Sequence, residues 1–202
     1  MKDELTGSVR ERLDAVIHGG TESQIPELVK AILIDSMQCG SLAVPPEFRR
    51  PIDGTYARRL LHRDPSGQYT MVVMTWAPGQ KTGLHDHAGI WCVECVVDGI
   101  MDVAQYDLMS ETGGAFRFEQ KNQVVAGRGS AGCLIPPFEY HTLANAADTP
   151  SVTLHVYGGE MDHCHVFEPE ADGSYRRVRK DLSYCATSML PSTTHSTHQM
   201  PA

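Results

Sequence analysis

The chain has 202 residues, 41% of them apolar and 21% charged, with a net charge of −8; these values fit one globular domain with at most an appendage and exclude disorder throughout. The acidic balance opposes binding to phosphate backbones, which clustered Lys and Arg hold, so no nucleic-acid partner is expected. No apolar run approaches the ~20 residues of a membrane-spanning helix, and the opening MKDELTGSVR is acidic where a signal peptide is apolar; the protein is read as cytoplasmic, with no membrane partner.

Residues 1–52 form a helical segment. Val9, Leu13, Val16 and Ile17 mark one apolar stripe, and Ile25, Leu28, Val29, Ile32 and Leu33 a second. Gly19-Gly20 separates the two helices, Thr21 or Ser23 is placed to cap the second, and Gly40 to end it. Pro45, Pro46 and Pro51 then turn the chain into a region of different grammar.

From 53 to 185, short runs rich in Val, Tyr, Thr and Ile alternate with Gly, Pro or Asp. The predicted strands are 56–62, 68–76, 90–97, 99–107, 115–119, 122–126, 131–135, 140–145, 151–158, 163–168 and 174–179. So many strands without intervening helices favour a closed barrel or jelly roll. The tail 186–202 is rich in Ser, Thr, His and Pro without apolar period, and is expected to be mobile, with His195 and His198 solvated. Six scattered cysteines do not suggest a disulfide framework. Cys92 and Cys95 form a CxxC, but residues three apart on a strand face opposite ways, and no second pair is near to complete a zinc site.

His85-Asp86-His87 carries the chemistry. Two imidazoles at i and i+2 share one face of an extended strand and can share a metal. Alone, such a pair is equally a polar turn. Its flanks, however, resemble the first motif of the cupin superfamily: Gly79, five residues, His85, one residue, His87, four residues, Cys92, six residues, Gly99, with Cys92 where cupins usually have Glu. Pro136, His141 and Asn145 resemble the second motif, with Ser130 and Phe138 where Gly is usual, and make His141 the third imidazole. The fold so implied is a mainly β cupin jelly-roll barrel carrying two or three N-terminal helices.

Three neutral imidazoles leave a divalent ion its full charge and three open positions. Iron(II) fits such a facial site, with zinc, copper and nickel left open by ligand type alone. An anionic substrate then supplies charge, and a thiolate does so well. The stretch 151–157 alternates cleanly, sending Thr153, His155 and Tyr157 to one face and Val152, Leu154 and Val156 to the other. On the polar face, a Thr hydroxyl is placed to orient one nitrogen of His155 and the other nitrogen to fix the Tyr157 hydroxyl.

With Tyr56, Arg58, Trp76, Cys92 and the Cys164-His165-Val166-Phe167 run, these residues make the chain similar to the thiol dioxygenases, and within them to the cysteine dioxygenases, over residues 56 to 168. The resemblance implies one mononuclear iron(II) on His85, His87 and His141, a relay of Thr153, His155 and Tyr157, and a thiol and O2 as partners, giving a sulfinic acid. It places Tyr56 and Trp76 at the substrate and Arg58 on its carboxylate; read without it, Arg58 and Arg59 are solvated cations, of which alternation turns one inward. His-Val-Tyr followed by Gly158-Gly159 looks like bacterial members, many of which prefer 3-mercaptopropionate, whereas Arg58 looks like the cysteine-specific ones. Vertebrate members carry a Cys joined to the relay Tyr where Cys92 stands; a thioether with Tyr157 and a free buried Cys both remain open, and strict alternation would turn Cys92 away from His85 and His87. Glu94 and Asp98 read as ordinary strand and turn charges.

The leading expectation is therefore an iron(II) dioxygenase making cysteine sulfinic acid from L-cysteine. The alternatives are the same reaction on 3-mercaptopropionate and a noncatalytic metal-binding cupin that acts as a sensor.

Overall fold

The structure, a computed structural model, describes residues 2–187. Most of the tail for which mobility was expected, with His195 and His198, lies outside the described residues. Two helices, α1 (Lys2–Gly19) and α2 (Ile25–Gln38), precede a short 3₁₀ turn at Pro46–Phe48 and eleven strands. The strands are β1 (Ala57–Arg63), β2 (Thr70–Trp76), β3 (Leu84–His85), β4 (Cys92–Asp98), β5 (Ile100–Thr112), β6 (Ala115–Gly127), β7 (Ala131–Leu134), β8 (His141–Asn145), β9 (Ser151–Tyr157), β10 (His163–Pro169) and β11 (Tyr175–Asp181). One sheet runs β1-β2-β9-β4-β7, and the other closes on itself as β10-β11-β6-β5-β8-β3. All the strand pairs are antiparallel. This is the cupin jelly roll, mainly β with two helices ahead of it.

Alternation explains why the five-stranded sheet is buried on both sides. Met71, Val73, Val93, Cys95, Val97, Val152, Leu154 and Val156 face one way, into a core shared with Val9, Leu13, Val29 and Leu33 of the helices. Val72, Met74, Trp76, Cys92, Val96 and Tyr157 face the barrel interior. The helices thus roof the outer face and leave the inner face for the site. Cys92 and Cys95 part to opposite faces, as their spacing requires.

Three local details differ from expectation. The helix cap is the first: Gln24 is the N-cap of α2 without a side-chain bond, and the Thr21 hydroxyl meets the Gln24 side chain at 2.8 Å instead. Pro26 in the first turn needs no N–H partner there. The runs 115–119 and 122–126 are one strand, because Gly113 and Gly114, both at positive φ, close a hairpin with β5, and register shifts absorb the polar residues between them. Leu84–His85 forms a two-residue strand that no apolar run announced, held by β10 and β8. Among the described residues, no helix is long and apolar enough to cross a membrane.

Candidate metal centre

His85 on β3 lies directly opposite His141 on β8, and His87 follows one residue beyond β3. Their ring centroids are 4.3 Å (His85–His141), 5.0 Å (His87–His141) and 5.5 Å (His85–His87) apart. One nitrogen from each lies within 4.8 Å of the others. Backbone carbonyls fix two of the rings: Nδ1 of His85 is 3.0 Å from Gly83 O, and Nδ1 of His141 is 2.9 Å from Glu139 O. A carbonyl only accepts, so each Nδ1 carries the proton and each Nε2 presents a lone pair. Both ring nitrogens of His87 and Nε2 of His141 are buried without a hydrogen-bond partner. Such orphaned nitrogens are costly unless something binds them, and a divalent cation fits this donor set. Burial, with His141 beside it, pushes His85 down to about 3, and burial with His141 and His85 takes His87 well below the histidine range, so both rings are neutral, as ligands must be.

The loop between the two ligands is pinned by carboxylates. Asp86 accepts the backbone N–H of Ala88 (3.0 Å) and of His165 (2.8 Å) and meets His165 Nδ1 at 2.9 Å. Glu139 accepts the backbone N–H of His87 at 3.1 Å. Ala88 and Gly89 turn the chain at φ 53° and 85°. This turn breaks the alternation that would have sent Cys92 away from His85 and His87. Cys92 instead faces the interior, directly opposite Tyr157 across the β4–β9 ladder. Burial, and next the neighbouring Cys92, holds the Tyr157 phenol well above its ordinary range and hence protonated.

The relay is wired differently from expectation. Trp76 Nε1 donates to Thr153 Oγ1 (2.9 Å), and Thr153 Oγ1 lies 2.8 Å from His155 Nε2. The Thr153 oxygen has a second lone pair and a proton besides the bond it accepts from Trp76, so it serves Nε2 in either tautomer, and the other ring nitrogen is Nδ1. That atom faces Glu94 Oε1 at 3.1 Å, not the Tyr157 hydroxyl. Residues i and i+2 of a strand stand side by side, and the rings of His155 and Tyr157 are near-parallel with centroids 5.9 Å apart. The nitrogens of His155 therefore point across the ladder, where Glu94 is its register partner.

Glu94 was read from the sequence as an ordinary strand charge and is the residue that reading missed. Its Oε1 is also 3.2 Å from His141 Nε2. Burial alone would raise its carboxyl, but His141 and His155 hold it well below the usual carboxylate range; in turn burial pulls His141 down and Glu94 outweighs that, carrying it up. The signal was available: Cys92, Glu94 and Val96 share a face, and a charge on an otherwise apolar inward face asks for a partner.

Arg58 and Arg59 are both buried, so neither is a solvated cation. Their pairing with β2 decides their faces: Arg58 lies opposite Met74, which faces inward, and Arg59 opposite Val73, which faces the helices. The Arg58 guanidinium donates Nη2 to Met161 O (2.7 Å), stacks 4.5 Å from the Tyr184 ring centroid, and leaves Nη1 buried and unpartnered. A small cavity joins Arg58 and Tyr56 to His85, Glu94, His155 and Tyr157, and Tyr56 packs on Trp76 with ring centroids 4.5 Å apart. Asp98, expected to be a turn charge, accepts its neighbour Gly99 N–H and pairs with Arg49 on the surface.

The family model described as cysteine dioxygenase type I matches residues 18–170. The chain belongs to the cysteine dioxygenase type I family. Cysteine dioxygenase type 1 of Rattus norvegicus and that of Homo sapiens are each 22% identical over 114 residues, 56% of this chain and 56% of theirs; the chain thus matches over about half the length of these curated relatives. Among solved structures, a double-stranded β-helix domain protein from Klebsiella pneumoniae is 19% identical with a TM-score of 0.45, covering 58% of this chain and 84% of its own. A Cupin 2 conserved barrel domain protein from Salinispora arenicola is 16% identical with a TM-score of 0.40, covering 57% and 86%. The family match spans both cupin motifs, β9 and β10, so every residue of the centre described above lies inside it except Tyr184, which packs on Arg58.

Proposed function

We propose that the protein is a thiol dioxygenase that holds one mononuclear iron(II) on His85, His87 and His141 and converts L-cysteine and O2 to cysteine sulfinic acid. The observation that carries this is the convergence of buried, unpartnered groups of two kinds in one interior: imidazole nitrogens on one side and Arg58 Nη1 on the other. Iron(II) bound there supplies the redox chemistry by which a thiol sulfur takes up both atoms of O2, a reaction whose electrons come from the sulfur itself.

The chain's own residues select and orient the substrate. Arg58, fixed by Met161 O and Tyr184, offers its free Nη1 to the substrate carboxylate, a charged hydrogen bond that is strong because no water competes for it. Tyr157 stays protonated and is a hydrogen-bond donor in the same interior. Tyr56 lines the cavity, and Trp76 packs on its ring from behind. Oxygen consumption by the iron-loaded protein tests the proposal: one O2 per cysteine, with sulfinate as product and slower turnover of 3-mercaptopropionate, is expected. Faster 3-mercaptopropionate turnover overturns the substrate and keeps the reaction; no uptake with either thiol overturns the enzyme in favour of a binding role.

A further inference from the structure

We infer that Tyr184, Glu160 and Arg63 are positioning residues that aim Arg58 at the substrate carboxylate, and that segment 182–185, which carries Tyr184, is the outer wall of the substrate site. The inference rests on the substrate reading proposed above and extends it beyond the last strand, to residues outside the family match at 18–170.

The wall follows from the place of β1 at the edge of the five-stranded sheet. An edge strand leaves backbone N–H and C=O groups open on one side. At Arg58 the chain that returns after β11 takes both: Cys185 N–H donates to Arg58 O at 2.7 Å, and Arg58 N–H meets Cys185 Sγ at 3.5 Å. The segment is also tied at its start, where Leu182 N–H donates to Asp162 O at 2.7 Å. Leu182 lines the small cavity together with Arg58 and Tyr157.

Between these two ties, Tyr184 makes two contacts. Its ring centroid lies 4.5 Å from the Arg58 guanidinium carbon, and that of Tyr157 lies 5.9 Å from it, so two phenol rings flank the cation and attract it. The Tyr184 hydroxyl donates to Glu160 Oε1 at 2.7 Å, and Arg63 donates to both oxygens of Glu160 at 2.7 and 3.0 Å. Such a fork fixes the carboxylate in one orientation, and Arg63 foremost holds Glu160 below the usual carboxylate range. Glu160 also adjoins Met161, whose carbonyl accepts Nη2 of Arg58 at 2.7 Å. The guanidinium is therefore held on its face through Tyr184 and at its edge through Met161, and both supports meet at Glu160. Nη1 is left buried without a partner. A side chain ordered in advance loses little freedom when the substrate binds, so the effect belongs to KM.

Oxygen uptake by the iron-loaded full-length protein, with cysteine varied, tests this, and Arg58→Ala is the reference. Tyr184→Phe keeps the ring and loses the hydroxyl, and Glu160→Leu loses the acceptor; each is expected to raise KM for cysteine by roughly 3–10-fold with a smaller change in kcat. Tyr184→Leu, which also loses the ring, is expected to raise it by roughly 10–30-fold. Glu160→Gln keeps an oxygen for the Tyr184 hydroxyl and is expected to fall between wild type and Glu160→Leu. Added to Arg58→Ala, Tyr184→Phe is expected to change KM no further, because it acts through Arg58. Independently of turnover, the Leu182 and Cys185 amides are expected to exchange hydrogen faster in Glu160→Leu than in wild type. Equal exchange there, a further rise of KM in the Arg58→Ala background, or loss of kcat at unchanged KM in Tyr184→Phe and Glu160→Leu overturns the inference. KM unchanged in those two variants but raised in Arg58→Ala overturns the positioning residues and leaves the substrate reading standing. KM unchanged in Arg58→Ala, or no uptake by wild type, overturns the substrate reading and the inference with it.

Discussion

At Arg58, the proposed selection of the substrate rests on one free nitrogen. Nη2 is committed to Met161 O, and only Nη1 is unpartnered. A charged hydrogen bond contributes about 1.5–3 kcal/mol, so Arg58→Ala should lower kcat/KM for cysteine by roughly 10–100-fold through KM, measured by oxygen uptake. A cysteine analogue without the carboxylate should be turned over equally by both forms; an analogue that also loses activity in the variant would show Arg58 to be structural. Cys92 poses a different question. It lies directly opposite Tyr157 across the ladder, and we propose a thioether to the Tyr157 ring, formed with loss of two hydrogens to O2. Intact mass after aerobic turnover should fall by two hydrogens in wild type and not in Cys92→Ala, and an unchanged wild-type mass would leave Cys92 a free buried thiol.

At the scale of elements, β9 joins the site to the core. Ser151, Thr153, His155 and Tyr157 enter the interior while Val152, Leu154 and Val156 pack under the helices, all seven buried. The strand ends at Gly158, where an added Cβ would fall 2.2 Å from Trp91 Nε1. Trp91 occupies the space that a side chain here would need. Gly158→Ser should therefore lower stability by about 1–3 kcal/mol, read as a shift in denaturation midpoint, and a Trp91→Ala/Gly158→Ser pair should recover part of the loss. At the other end of β4, Gly99 turns the chain at φ 81°, and a Cβ there would lie 2.2 Å from Ser151 Oγ. The Asp98-Gly99 turn was legible as a turn; that it abuts β9 was not.

In the whole molecule, the helices complete the barrel's outer wall. Val29 and Leu33 of α2 are fully buried against the sheet core, so Leu33→Ala should cost about 2–5 kcal/mol, measured by chemical denaturation. A polar clasp adds to this contact. Asp64, after β1, accepts from Ser66 and Gln68 and pairs with His18 of α1 at 3.3 Å, while Tyr69 donates to Asp14 of α1 at 2.7 Å. Burial alone would raise Asp64, but these donors prevail and bring it down to about 2. With its folded value below the ordinary 3.8, the ionised form favours folding; that stability is complete above about pH 4 and lost as pH falls from 4 to 2. Asp64→Asn should flatten the denaturation midpoint across that window, and an unchanged slope would place the acid sensitivity elsewhere.

The sequence by itself determined what depends on neighbours along the chain. The two helical stripes, the strand rhythm and the split of 152–157 into polar and apolar faces follow from periods of 3.6 and 2, which backbone geometry imposes locally. The HxH spacing and the second-motif His resembled a metal centre for the same reason: their meaning lies in fixed offsets. What the sequence left open depends on register between distant strands. Whether Arg58 or Arg59 turns inward follows from pairing with Met74 and Val73. Cys92 rejoins the histidines because Ala88 and Gly89 break the alternation. His155 meets Glu94 because β4 and β9 pair with those two residues opposite one another. A charge becomes part of a site only when folding removes its water and supplies a partner, and for Glu94 both came from strands that the chain brings together after sixty residues of intervening sequence.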